Sequence, residues 1–344
     1  MELKPIIASH SGDAFARIRQ YLNEDVLSVI GSVARAPRSR GEVAGDVLAE
    51  LVEMHVLRER GGRVVPDTSV FLEEDVASIV RTVKPLAEEL AHRVFTRGAA
   101  FHSAPPELTL FLAGVVGLVQ GLGTSLREQG VGLEWRSYGG KYARSKVDFD
   151  QVCEAYDAVG PDYLNKTILP GEHHTAVFIG PGGTNFCLLV RALKGSETSQ
   201  RYVGSVDRYL VDAYAMLAKG EIQSENLRSA AAAADLFRER ELRTVVVTRE
   251  TMDEYGAALA AIVEDVSSYY IGQLGILHEL LSTTTPGRQG VPPGNMMLNL
   301  WGYIRKLTAA ELYGMGFFTD SIPETGMATV FYENDVDVVP RLFA

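Results

Sequence analysis

The sequence predicts an α/β chain. It reads as a mostly parallel sheet covered by helices and closed by a C-terminal antiparallel hairpin, preceded by a helical domain that ends in a two-stranded wing. Three observations carry this. From Thr175 onward short apolar runs alternate with helical stretches, the pattern of a parallel sheet with helices on both faces. Residues 175–186, TAVFIGPGGTNF, run an apolar strand into a glycine-rich turn, and residues 201–210, RYVGSVDRYL, carry a second apolar run to Asp207. Residues 12–65 show helical spacing that gives way to two short strands around Gly61-Gly62. The boundary falls near residue 165, giving a helical domain over 1–165 and the α/β domain over 166–344.

The chain has 344 residues, 46% of them hydrophobic, with ordinary glycine and proline content, enough for two sizeable cores. No stretch of 18 apolar residues appears and MELKPIIASHSGD lacks a signal-peptide pattern, so a cytoplasmic protein is expected. Two cysteines, Cys153 and Cys187, exclude a disulfide framework and a cysteine-rich zinc site. The histidines are scattered except His173-His174, read as a loop before a strand, and no metal site is expected. A formal charge of −11 repels nucleic-acid phosphates over the molecule as a whole.

In the first domain 14–22 and 25–34 have helical spacing, and 35–40 (RAPRSR) interrupts them. A third helix over 41–55 has the apolar stripe Val43, Val47, Leu48, Leu51 and Val52. VLRERGGRVV then makes a tight hairpin. Three helices and a wing is the winged-helix arrangement, often a DNA reader. The charges oppose that use, because the outer side of the third helix carries Asp46, Glu50 and Glu53. Residues 1–68 hold nine Lys/Arg against ten Asp/Glu, a net of −1, whereas groove readers concentrate cations. Arg35, Arg38 and Arg40 are read as a solvated basic loop, the domain as a packing or dimerisation module, and no nucleic-acid partner is expected.

Residues 69–129 read as helical, with Thr68 or Ser69 as the cap of a helix whose first turn holds Glu73, Glu74 and Asp75. The run 108–122 is almost wholly apolar and too short to span a bilayer; it needs cover on all sides, which a second subunit could supply. In 134–165 Trp135, Tyr138, Lys141, Tyr142, Tyr156 and Tyr163 are candidates to line a substrate pocket, or are ordinary half-buried aromatics.

The second domain continues strand, glycine turn and a short helix at 187–193. The strand ending at Asp207 follows, then a helix at 210–218, Asp235-Leu236-Phe237, a strand at 244–248, a helix at 257–266 and a strand at 274–280. A helix at 308–314 precedes two strands, 316–318 and 327–332, joined by a Pro/Gly turn. Glycines let a backbone approach a nucleotide-like ligand, and an acid at the end of the next strand accepts from ribose hydroxyls. The 27 residues from Gly180 to Asp207 exceed the usual interval of about 20.

With these residues in place, nearly the whole chain resembles the class I S-adenosylmethionine-dependent methyltransferases, and among them the small-molecule O-methyltransferases with a winged-helix dimerisation domain. VFIGPGGTNF resembles the turn at the methionine part of the cofactor, Asp207 the ribose acid, and Asp235-Leu236-Phe237 the stretch beside the adenine. LTAAELYGMGFF and ATVFYEND look like the family's closing helix and hairpin. The resemblance implies S-adenosylmethionine held at Gly180, Gly182, Gly183, Asp207, Asp235, Leu236 and Phe237, a homodimer, and a small aromatic or secondary-metabolite acceptor.

Phe178 stands where the family has an acid, Thr184 where it has the last glycine, and Met252-Asp253 where it has its catalytic His-Asp. Phenol methylation needs a base, and a carboxylate serves only if burial raises its pKa. The candidates are Asp253, and His278 with Glu279 at the end of the strand expected over 274–280. Two other readings remain: the same fold with a different cofactor chemistry or lost catalysis, and a transcription regulator with a ligand-sensing α/β domain.

Overall fold

The computed structural model describes residues 3–9, 12–120, 142, 145–151, 173–179, 186–193, 244–319 and 327–332. The protein is a mixed α/β chain, mostly helical, that divides into two compact units. The first unit comprises Met1–Leu86, Gln129–Leu164 and Ile271–Ile304; the second comprises Ala87–Glu128, Asn165–Tyr270 and Arg305–Ala344.

In the first unit α1 (Gly12–Tyr21), α2 (Glu24–Arg35) and α3 (Gly45–Glu53) precede the hairpin of β3 (Leu57–Arg60) and β4 (Arg63–Pro66), the elements expected over 12–65. Local chemistry sets their ends. The Asn23 side chain accepts the Val26 N–H at 3.1 Å and caps α2, whose Val26, Ile30, Val33 and Ala34 are buried. At the end of α3, His55 takes a left-handed φ of 54°, with the Val56 N–H donating to the Leu51 carbonyl at 2.8 Å and His55 N–H to Val52 at 3.0 Å. This is a Schellman stop built without glycine. Gly61 and Gly62, at φ 59° and 75°, close the hairpin in the register Arg60↔Arg63, as a two-residue turn with positive φ at both positions requires. A short β2 (Arg38–Ser39) adds to β4, giving the order β2-β4-β3.

A second sheet of this unit joins β1 (Leu3–Ser9), β5 (Val70–Phe71) and β6 (Ser145–Gln151) in the order β1-β6-β5, with β1 antiparallel and β5 parallel to β6. The sequence reading assigned no strand to 3–9 or 145–151. On β6 the alternation of Val147 and Phe149 with Asp148 and Asp150 does not separate a core face from a wet one, since all four are buried. Asp148 is held there by the Thr68 hydroxyl at 2.6 Å and the Ser69 N–H at 3.1 Å. Thr68 and Ser69 therefore do not cap the next helix, α4 (Glu73–Arg97). That end is closed by Asp75, whose Oδ2 accepts the Leu72 N–H at 2.9 Å.

The second unit carries a four-stranded sheet of β7 (His173–Ile179), β8 (Phe186–Leu193), β9 (Thr244–Val247) and β10 (Met327–Tyr332) in the order β7-β8-β10-β9. β7 and β10 each run antiparallel to β8, and β10 runs parallel to β9. Three strands thus share one direction and β8 alone opposes them. This corrects two expectations. Residues 187–193 are strand, because a six-residue connection brings them straight back along β7, from Ile179↔Cys187 to His173↔Leu193. The C-terminal strand is parallel to its β9 neighbour, and residues 316–318 form no strand. They follow a second Schellman stop, with Gly316 at φ 73° and the Phe317 N–H on the Leu312 carbonyl at 2.9 Å.

Beyond β9 runs α6 (Arg249–Thr283), then α7 (Thr285–Arg288) and α8 (Pro293–Gly314). Residues 274–280 are part of α6, not a strand: Leu277 and Leu281 are fully buried at i and i+4, whereas Ile276, just before Leu277, is 53% exposed. That is a period of 3.6, not 2. The apolar run after α5 (Pro106–Thr109) continues as a π-helix over Leu110–Gln120. Its Phe111, Leu112, Ala113 and Leu118 are completely covered by the same chain, and a Cβ at Gly117 would lie 2.9 Å from Ile262 of α6, so burial here needs no second subunit. Asp265 of α6 binds Arg93 at 3.1 Å and Arg97 at 3.0 Å, and Arg93 lies over the Tyr269 ring at 4.6 Å. Among the described residues no helix is long and apolar enough to cross a membrane.

One titration is written into this unit. Tyr270 is 1% exposed, and burial raises its phenol pKa above the ordinary value. A raised folded pKa gives stability that is complete below the unfolded value of about 10 and is lost as pH climbs through the folded one. Urea midpoints are expected to fall above about pH 10 in the wild type and to fall less in Tyr270→Phe. Equal alkaline slopes in the two proteins would rule this titration out.

Candidate functional site

The strand directions define a candidate edge. Because β7, β9 and β10 run the same way, their carboxyl ends lie along one edge of the sheet. β7 ends at that edge with Ile179, the residue before the glycine-rich sequence 180–185, and α6 starts there two residues after β9. Crevices outside the carboxyl ends of parallel strands are where α/β sheets hold ligands.

The start of α6 is fixed by a reciprocal cap. The Thr251 N–H donates to the Thr248 hydroxyl at 3.2 Å, and the Thr248 N–H donates to the Thr251 hydroxyl at 3.2 Å. Asp253 falls in the second turn, exposed, between exposed Glu250 and Glu254. The burial required of a carboxylate base is therefore absent at Asp253. Next to it Tyr255 is buried, 6% exposed, and stacks on Phe101 with centroids 5.2 Å apart and planes 18° apart. Burial, and then the Glu254 carboxylate bonded to its hydroxyl, push the Tyr255 phenol pKa up, so this group stays neutral with its hydroxyl donated to Glu254. The sequence reading missed Tyr255; its spacing from the cap at Thr248 was the available signal.

His278 and Glu279 stand at the other end of the same 35-residue helix, both exposed, in the first unit. With 274–280 helical, neither lies at the end of a strand, which was the ground for choosing them. Gly180, Gly182, Gly183, Asp207, Asp235, Leu236 and Phe237 lie outside the described residues, as do Trp135, Tyr138, Lys141, Tyr156 and Tyr163. Of the pocket candidates Tyr142 is described: it is buried in the first unit and its hydroxyl donates to Glu50 of α3.

The first unit has a pocket of its own, about 270 Å³, between α2, β1 and the end of β6. Leu3, Leu27 and Leu72 form its apolar wall. Arg35 Nη2 donates to Gln151 Oε1 at 3.3 Å at its rim, and the Glu73 N–H donates to the same oxygen at 3.4 Å. None of the catalytic or cofactor candidates chosen from the sequence lines it. No protein-family model, no curated protein and no solved structure matches the chain.

Proposed function

We propose that the chain binds S-adenosylmethionine at the carboxyl edge of β7, β9 and β10 and methylates a small aromatic or secondary-metabolite acceptor. The supporting observation is the shared direction of these strands, which brings the end of β7, immediately before the glycine-rich sequence, and the capped start of α6 to one edge. In this reading Gly180, Gly182 and Gly183 admit the cofactor's methionine end close to the backbone. Asp207 accepts from the ribose hydroxyls, and Asp235, Leu236 and Phe237 border the adenine. The bound cofactor supplies an electrophilic methyl on a sulfonium. The chain's part is to align an acceptor atom in line with it, where proximity and orientation supply most of the rate.

Asp253 and Tyr255 follow the cap in the second turn of α6. The Tyr255 hydroxyl, already bonded to Glu254, holds that carboxylate in place, and the exposed Asp253 carboxylate passes a proton to water. The chemistry therefore favours an acceptor that ionises easily over a simple phenol. The helical unit serves as a pairing module and the enzyme acts as a homodimer.

Calorimetric titration with S-adenosylmethionine and with S-adenosylhomocysteine tests the reading. Micromolar binding is expected, weakened roughly 10- to 100-fold by Asp207→Ala, the worth of hydrogen bonds to a charged group. Absence of binding at high micromolar ligand would refute it. Binding without any methylated product from candidate acceptors would favour a relative with other cofactor chemistry.

A further inference from the structure

We infer that the solvent face of the wing is a contact surface for the phosphate backbone of duplex nucleic acid, engaged without base reading. The strand period sets the face. Leu57, Val64 and Pro66 are buried, so the alternate positions Arg58, Arg60 and Arg63 look outward together. Arg38 of β2 pairs with Val64, and Arg40 binds Glu59 opposite that same Val64, so these two arginines belong to the other face. Three arginines and no lysine are grouped on the outward face of the wing in a chain whose net charge is −11. The guanidinium fork suits phosphate oxygens in a way an ammonium does not.

Of the three, Arg58 has an acidic neighbour, Asp67 at 3.3 Å; on the other face Arg40 has Glu59 at 3.6 Å and Arg38 has Glu42 at 3.8 Å. Arg60 and Arg63 have no ion pair among the described residues, yet they face each other directly across the hairpin. Like charges in that register destabilise a hairpin. The fold gains nothing from this pair, whereas a phosphate seated between the two guanidiniums relieves their repulsion. The tip itself is slim, since Gly61 and Gly62 have open space where a side chain would be.

The neighbouring α3 does not enter the groove in this scheme. Its Glu50 accepts the Tyr142 hydroxyl, and exposed Asp46 and Glu53 would repel phosphates. Contacts confined to the wing are sequence-independent. An anionic membrane is the less fitting occupant. Surface-bound modules add apolar side chains to their cations, and the exposed large hydrophobics among the described residues are Val52 and Ile276, neither on the wing.

The inference does not depend on methyl transfer and is tested apart from it, by fluorescence anisotropy of the full chain with a short labelled duplex of random sequence. Binding is expected at low salt, with a log–log salt slope of about −2 to −3, the release expected for two to three neutralised phosphates. Arg60→Gln/Arg63→Gln is expected to weaken it at least tenfold while its thermal midpoint stays level or rises, because a like-charge pair has been removed. No binding at low salt, equal binding by the double variant, or binding to phosphatidylserine vesicles in place of the duplex would each overturn the assignment.

Discussion

Gly287→Ala is expected to destabilise the protein by about 3 kcal/mol or more, at the upper end of what overpacking costs. Gly287 sits in the single turn of α7, and its φ is not the reason for glycine. Space is. A Cβ there would stand 2.1 Å from the Leu281 carbonyl oxygen and 2.9 Å from both the carbonyl carbon and the Cα of Ser282. All three atoms are backbone, so no side chain can swing aside. The Leu281 carbonyl is also held in place, because it accepts the Thr284 N–H at 3.2 Å and the Thr284 hydroxyl at 2.6 Å. Thr284 in turn caps α7 by accepting the Gly287 N–H at 3.4 Å. The methyl must therefore push α7 off the end of α6 and break its own cap. Gly294→Ala, in the first turn of α8, is the control: nothing lies within 4 Å of its Cβ, and helix propensity predicts a gain of up to about 1 kcal/mol. Urea midpoints of the two variants should move in opposite directions. A Gly287→Ala protein as stable as the wild type would refute a close backbone contact between α7 and the end of α6.

What could be read from the sequence follows from how local each decision is. α2 was expected over 25–34 and is found at Glu24–Arg35, and the wing was placed by Gly61-Gly62, because caps and two-residue turns are fixed by adjacent residues. Sheet partners are not. β1 pairs with β6, Leu3 opposite Gln151, and nothing near Leu3 announces a partner so far along the chain. The run GILHELL was ambiguous for another reason: short apolar stretches fit a strand as well as a helix, and only the burial of Leu277 and Leu281 with exposure of Ile276 decides. Residues 187–193, flanked by a glycine turn, were equally open until β7 claimed them. The candidate site divides the same way. Asp253 was placed between the strand at 244–248 and a helix at 257–266, but the helix begins at Arg249 and takes Asp253 into its second turn; its exposure, and the burial of Tyr255 on Phe101, depend on packing. The charge of the wing was countable from the start, but its use was judged on α3. Only the β2-β4-β3 register shows Arg60 and Arg63 opposed on one face.

Asp75→Ala is expected to cost about 3 to 4 kcal/mol, because one buried carboxylate closes two chain ends. Asp75 is 4% exposed. Its Oδ2 accepts the Leu72 N–H at 2.9 Å at the start of α4, and its Oδ1 accepts the Thr285 N–H at 2.8 Å at the start of α7. Both donors belong to helix starts, where the backbone offers no acceptor of its own. Truncation leaves two buried N–H groups without partners, each worth about 1 to 3 kcal/mol, and removes a negative charge from two positive helix ends. Asp75→Asn keeps one acceptor oxygen and turns an amide donor toward the other N–H, so it should lose roughly half as much. The order wild type, Asn, Ala in denaturant midpoint is the expected outcome, with amide exchange at Thr285 accelerated in both variants. If Asn matched Ala, the carboxylate's value would lie in its charge at the helix ends. If neither variant moved the midpoint, Asp75 would not be the tie between α4 and α7 that these two bonds make it.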